Sequence, residues 1–164
     1  MIIREYRESD QKALIRLIEG LQDHQHALDR WGKIRKPTKG FGARYVTGLL
    51  EKTSKEEGVI FLAEIGGRVV GCVAGVIERV ANDQPTSDCK PCVHGRILEL
   101  FVEEGHRRKD VGSLLMKRIE KYFQSTDCDS LRVEAFGPNT ASQNFYRRCG
   151  YEVWTVDFIK KVKA

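Results

Sequence analysis

Nothing in this 164-residue chain approaches the ~20 consecutive apolar residues that a membrane-spanning helix requires, so no membrane span is expected. Internal repeats, low-complexity tracts and interdomain linkers are also missing, and proline occurs only four times. Arg4 and Glu5 stand where a signal peptide would need an apolar core, which makes a cytoplasmic location the expectation. Cysteine is sparse and odd in number: Cys72, Cys89, Cys92, Cys128 and Cys149 suit reduced thiols in a chain without an export signal. Cys89-Lys-Pro-Cys92, with His94 close behind, could begin a metal site or a redox pair. A structural zinc site needs about four ligands, and with no second Cys/His pair at ligand spacing no metal is expected. Acidic charge is the minority sign, 23 residues against 28 basic, for a net charge of +5 and a pI near 9.0. That excess attracts nucleic acid, acidic lipid and phosphorylated small molecules alike. Because the basic residues are spread along the chain without a recognition motif, no nucleic-acid partner is expected.

What is present is the composition of a packed domain, 41% hydrophobic and 31% charged, and one domain spanning residues 1–164 is the expectation. MIIREYR alternates as a strand, and Ser9 or Asp10 can cap a helix with Leu14, Leu17, Ile18 and Leu21 at helical spacing. A Gly- and Pro-containing stretch around 31–42 separates it from a second helix, Ala43 to Lys55, with Tyr45, Leu49 and Leu50 facing inward. VIFLAEI and RVVGCVAGVIERV flank Gly66-Gly67, whose tolerance of positive φ predicts a tight hairpin. Residues 81–92 read as a loop and Gly95 to Val102 as the next strand. Val111, Leu114, Leu115, Arg118, Ile119 and Tyr122 mark a following helix with a core-facing stripe, and LRVEAF comes next as a strand. The last helix begins at Asn139 and ends before Gly150, and YEVWTVDFIKKV closes the chain as a strand. The predicted order is β-α-α-β-β-β-α-β-α-β, an α/β (α+β) fold with a mixed central sheet flanked by helices.

One stretch poses an electrostatic problem. HRRKDVGSLLMK, residues 106–117, places Arg107, Arg108 and Lys109 at the start of a helix, where the dipole already disfavours cations. The unsatisfied N–H groups of that turn and the three side chains together suit an anion, phosphate above all. A solvated surface turn is the plain alternative.

Two blocks then carry a resemblance. LELFVEEGHRRKDVG is similar to the strand and pyrophosphate loop of the GNAT superfamily of acetyl-coenzyme A-dependent N-acetyltransferases, written Arg/Gln-x-x-Gly-x-Gly/Ala, with Arg107 and Gly112 in the outer positions. NTASQNFYRRCGY resembles the family's second block, with Asn139, Tyr146 and Gly150-Tyr151 in the places of its Asn, Tyr and Gly-Phe. Asp110 departs from the pattern by standing where the loop usually has its first glycine. Its charge opposes a phosphate, although Asp tolerates left-handed backbone and could cap the helix at Val111.

The resemblance implies direct transfer of an acetyl group from acetyl-CoA to the amine of a small molecule or peptide. It implies that Arg107, Arg108, Lys109, Asp110, Val111, Gly112 and Ser113 hold the pyrophosphate, and that Leu100, Phe101 and Val102 offer strand backbone to the pantetheine arm. Asn139 and Tyr146 join the coenzyme site. The Leu100 N–H would face the thioester oxygen as charge develops. Tyr146, with a phenol of ordinary pKa about 10, suits protonation of the departing thiolate; an ordinary buried tyrosine is the alternative. Glu99 is the candidate base for the incoming ammonium, a surface carboxylate being the plain alternative, with His94 or Glu134 as substitutes. Acceptor choice falls to residues 22–45 and the chain end; the first segment offers Asp23, Asp29, His24, His26, Trp31 and Tyr45, a set that could hold a cation through carboxylates and aromatic faces. The 14 residues after Gly150 are short for a strand-loop-strand arm, so a homodimer is weighed. A non-catalytic acyl-CoA-binding module of the same fold is the alternative to an enzyme.

Overall fold

Gly66 and Gly67 adopt φ of 57° and 76°, and on either side of them Val59–Ile65 (β2) and Arg68–Val80 (β3) pair antiparallel as the hairpin signal predicts. The computed structural model describes residues 1–80 and 90–162; Cys89 lies outside the described residues, as does most of the 81–92 stretch read as a loop. The chain divides into two compact units, Met1–Glu134 and Ala135–Ala164.

The first unit holds a five-stranded sheet in the order β1-β2-β3-β4-β5, where β1 is Ile2–Glu5, β4 is Cys92–Val102 and β5 is Ser130–Val133. All pairings are antiparallel except β4 with β5, which makes the sheet mixed. β4 starts three residues before the expected Gly95. Helices α1 (Gln11–Leu28) and α2 (Phe41–Lys55) cover one face, where Leu14, Leu17, Ile18, Val46 and Leu49 pack on Ile60, Leu62, Cys72 and Ala74. Tyr45 does not turn fully inward as its helical spacing suggested; it is 40% exposed, because its hydroxyl reaches a polar partner at the edge of this face. Asp10 occupies the position before α1 without capping it by its side chain. Its carboxylate is claimed by Arg4, whose Nη1 and Nη2 donate at 2.7 and 2.9 Å, and by the Arg7 N–H at 2.9 Å. These bonds, the Arg4 bond foremost, hold the carboxyl below its usual range.

Helix α3 (Val111–Gln124) lies on the other face, burying Val111, Leu115, Met116, Ile119 and Phe123, whereas Leu114 of the expected stripe is exposed. The Arg118 guanidinium stacks 4.1 Å from the Phe61 ring centroid. Glycines let this helix approach the sheet. A Cβ on Gly95 would lie 2.5 Å from Phe123 and 2.6 Å from Leu131, closer than packed carbon atoms allow.

The second unit holds α4 (Thr140–Arg148) and the residues after it. Asn139 caps α4, accepting the Ser142 N–H at 3.1 Å, and Gly150 follows it with φ of 89°, as the sequence signals predict. The closing strand expected over residues 151–162 is not formed. Alternation supplies the faces of a strand, but a strand also needs a neighbour to take its N–H and C=O groups and a layer to cover its apolar side. Trp154 and Phe158 remain 79% and 89% exposed, so that layer is missing. The observed order is therefore β-α-α-β-β-β-α-β-α, with five strands and four α-helices among the described residues.

The close approach at Gly95 gives a stability test. Gly95→Ala should lower unfolding free energy by about 1–3 kcal/mol through displacement of Phe123. Urea unfolding monitored by circular dichroism measures it, and an unshifted midpoint would mean that α3 does not dock at this distance.

Candidate active site

The site grows from a divergence of two strands. β5 pairs with β4 only along His94–Ile97, whereas β4 runs on to Val102 bonded to β3 alone, after a register shift between Ala74 and Gly75 on β3. Beyond Ile97 the β5-side edge of β4 has no strand partner among the described residues. Which backbone groups lie on that edge follows from parity. The Glu103 N–H donates to Val70 O on β3 at 2.9 Å, so the polar groups of Phe101 face β3 and those of Leu100 and Val102 face away from it. Arg107 Nε donates to the Val102 carbonyl at 3.0 Å, which leaves the Val102 N–H and both backbone groups of Leu100 on this edge.

A short turn, Glu104–His106, leads from the strand to α3. The Arg107 N–H is spent inside this turn on Glu104 O at 3.1 Å, and its guanidinium stands 5.5 Å from the Phe101 ring centroid. Lys109 Nζ donates to Gly105 O at 2.8 Å. Arg108 and Asp110 both adopt left-handed backbone, with φ of 59° and 58°. Alternation of hand along successive residues gathers N–H groups into a concavity of the kind that takes anions. Leu114 N–H closes the first helical bond on Asp110 O at 3.0 Å, so the N–H groups of Val111, Gly112 and Ser113 precede the ladder. Asp110 thus fills the loop's usual glycine position in the glycine-like conformation, but the expected capping bond from its side chain is not made.

Glu99 and Phe101 project to the α1/α2 face. Tyr45 Oη donates to Glu99 Oε1, which joins the candidate base to one of the candidate acceptor residues. Burial pushes the Glu99 carboxyl above the usual carboxylate range, and the Tyr45 bond offsets part of that. Burial, reinforced by the charge of Glu99, raises the Tyr45 phenol as well. Beneath them burial pushes the Cys72 thiol up to about 12, with Glu99 adding to it, so Cys72 stays protonated. The Phe101 ring packs under Gly20, where a Cβ would stand 3.0 Å from it. One turn further along α1, His24 is held below its usual pKa by burial first and then by the charge of Arg107. Gly20 carries no sequence signal that separates it from the rest of an amphipathic helix, whereas His24 belongs to the acceptor set read from residues 22–45.

The other candidates disperse. His94 lies five residues back along β4 from Glu99, about 16 Å in an extended strand, with Nδ1 bonded to Ser130 Oγ at 2.6 Å and Nε2 to Cys92 Sγ at 3.1 Å. Glu134 pairs with Arg96 at 2.5 Å. Asp23 is exposed on α1 and Trp31 is half-buried in the connection to α2. Asp29, read as a cation ligand, is instead the organiser of that connection: its carboxylate accepts the N–H groups of Trp31, Lys33 and Ile34 at 2.9, 2.5 and 2.5 Å. Those bonds, Ile34 foremost, hold it below the usual carboxylate range. In the second unit Tyr146 packs its ring against Phe145 and Tyr151, with centroids 5.6 and 6.0 Å away. Among the described residues no group of three His, Cys, Asp or Glu side chains could hold a metal ion, and no helix is long and apolar enough to cross a membrane.

Comparison with known proteins agrees with this architecture. A variant of the BH1408 protein from Bacillus halodurans superposes with a TM-score of 0.85 at 17% identity, covering 99% of this chain and 100% of that one. The aminoglycoside N-acetyltransferase AAC(6')-Iy, solved in complex with CoA, superposes with a TM-score of 0.67 at 18% identity over 98% of each chain. In sequence, the uncharacterized N-acetyltransferase MJ1530 of Methanocaldococcus jannaschii is 30% identical over 92 residues, which is 56% of this chain and 51% of that protein. The chain thus matches about half the length of this curated relative. The profile of the Acetyltransferase (GNAT) family matches residues 22–151, across β2 to β5, the turn at Arg107–Asp110 and α4, and by that match the chain belongs to the GNAT acetyltransferase family.

Proposed function

We propose that this protein is an acetyl-CoA-dependent N-acetyltransferase that moves the acetyl group directly to a primary amine of a small molecule or peptide. The observation that carries this reading is the unpartnered β4 edge ending in a left-handed, cation-rich turn at the start of α3. In it the coenzyme's pantetheine arm pairs with the Leu100 backbone and the Val102 N–H beside Phe101, as an added strand would. Its pyrophosphate takes the N–H groups of Val111, Gly112 and Ser113, with Arg108 and Lys109 nearby. The complex of AAC(6')-Iy with CoA supports this choice of ligand.

The chain's own groups then divide the work. The Leu100 N–H stabilises negative charge on the thioester oxygen. Glu99 accepts the ammonium proton, directly or through one water, so that the amine lone pair can attack. Tyr146, assigned by the motif in which it stands, returns a proton to the departing thiolate, and Asn139 sets the start of the helix that carries it. The exposed Val153, Trp154, Val156 and Phe158 support a homodimer that covers them. A binding module of GNAT fold is the second reading, favoured by the charge of Asp110 in the phosphate turn; release of CoA thiol with any amine excludes it.

Three outcomes follow. Glu99 must be ionised to act, so kcat/KM should rise with pH through a limb above the ordinary carboxylate range. Glu99→Gln should abolish that limb and lower kcat/KM by about 10²–10⁴-fold. The native state holds this proton to higher pH than the unfolded chain, so wild type should also lose stability relative to Glu99→Gln as pH rises across that interval. Tyr146→Phe should slow turnover while leaving the CoA dissociation constant nearly intact; a variant as fast as wild type removes Tyr146 from the reaction. Asp110→Gly should tighten CoA binding about three- to tenfold by removing a like charge from the phosphate turn and relieving left-handed strain. Calorimetric titration measures it, and unchanged or weaker binding contradicts the repulsion.

A further inference from the structure

The connection between α1 and α2 forms the wall of an open groove of about 510 Å³, and its charge is opposite to the acceptor cradle that the sequence suggested. Lys33, Arg35, Lys36 and Arg44 line it together with the amides of Gln22 and Gln25, and no acidic residue does. Among the described residues none of the four cations forms an ion pair. Like charges gathered on one wall repel, and a solvated loop would spread them. Here the backbone prevents that. Asp29 binds the Lys33 and Ile34 N–H groups at 2.5 Å, His26 Nδ1 holds the Ile34 carbonyl at 2.7 Å, and Gln22 Nε2 holds the Arg35 carbonyl at 2.7 Å. The 29–35 segment is thereby tied to α1, and its Lys33 and Arg35 line the same groove as Arg44 of α2.

The groove also adjoins the residues that hold the base. Phe41 lines it and packs on Tyr45, ring centroids 5.6 Å apart, and the Tyr45 hydroxyl is bonded to Glu99. Glu19, the acid packed against Gly42 on the adjoining turn of α2, is not in the lining. Tyr45 and Glu99 lie just outside the lining, so a ligand anchored on the groove's cations and amides would reach past Phe41 to meet the Glu99 carboxylate.

We propose that the acceptor is a small amine that also bears a phosphate or carboxylate group, with the anion bound by Lys33, Arg35, Lys36 and Arg44 and the amine delivered to Glu99. The assignment rests on the acetyl-transfer reading for the amine end and on the groove alone for the anionic end. Two guanidinium groups in the set suit either anion, since their paired N–H donors match both phosphate and carboxylate oxygens.

The test pairs O-phosphoethanolamine with ethanolamine and glycine with glycinamide, as acceptors in a CoA-thiol release assay and as ligands in calorimetric titration. Wild type should prefer the anionic member of at least one pair by about tenfold or more in kcat/KM or in dissociation constant. The pair that carries the preference tells phosphate from carboxylate. Arg35→Gln combined with Lys36→Gln should erase most of it through KM, with the CoA dissociation constant within about twofold of wild type. No preference, preference for the neutral member, or a preference undiminished in the double variant overturns the proposal. So does a large loss of CoA affinity in that variant, which would assign the groove to the coenzyme's own phosphates. If none of the four amines is acetylated, the enzymatic reading fails for this class and titration alone decides the groove. Binding of O-phosphoethanolamine or glycine that disappears in the double variant upholds the anion site, and binding of neither overturns it.

Discussion

The loss of pairing between β4 and β5 beyond Ile97 is the constraint on which the rest of the site depends. An exposed strand edge presents N–H and C=O groups that must find partners, and natural sheets usually cover or shorten such edges. Here the edge ends in a turn whose Arg107 side chain caps one of the exposed carbonyls, that of Val102, and leaves the Leu100 groups unclaimed. The register shift in the β3–β4 pairing leaves Leu98 of β4 as an extra residue between Ile97 and Glu99, at the point of divergence, so the irregularity in one pairing accompanies the opening of the other.

Two of the three cations in the Arg107–Asp110 turn act as backbone braces. Arg107 holds Val102 and faces the Phe101 ring, and Lys109 holds Gly105. Their positive charge near a helix start, unfavourable by itself, is tolerated because each side chain satisfies a carbonyl of the preceding segment. Asp110 fits the same economy: a carboxylate side chain that gives up its cap but supplies the left-handed residue the turn requires.

On the opposite side of β4, the raised Glu99 carboxyl and the Tyr45 phenol form a pair whose environment is set by burial under α1 and α2. Burial is what moves a carboxylate towards the neutral range where it can exchange protons with an ammonium group. The same helices bring a fully basic groove to within one aromatic pair of Glu99. The open backbone edge and the Glu99–Tyr45 pair thus occupy the two sides of one strand, which the alternation of β4 side chains and backbone groups makes possible.

Local signals in the sequence were enough for the hairpin at Gly66-Gly67, the apolar stripes of α1 and α3, the Asn139 cap and the stop at Gly150, because each depends on residues only a few positions apart. The left-handed preference of Asp110 was legible for the same reason. A closing strand over 151–162 was not decided locally: alternation cannot reveal whether a neighbouring edge exists to receive it. The α1/α2 face of β4 was equally hidden. Asp29 looked like a cation ligand until folding spent its carboxylate on three backbone N–H groups, and the four cations of the groove lie up to eleven positions apart, at 33, 35, 36 and 44. Sequence by itself determined the helices, the hairpin and the turn before α3, since short-range sterics and hydrogen bonding govern them. Only the tertiary structure decided which strand edge stays open, where Glu99 meets Tyr45 and what sign of charge the groove presents, because those depend on which distant segments pack together.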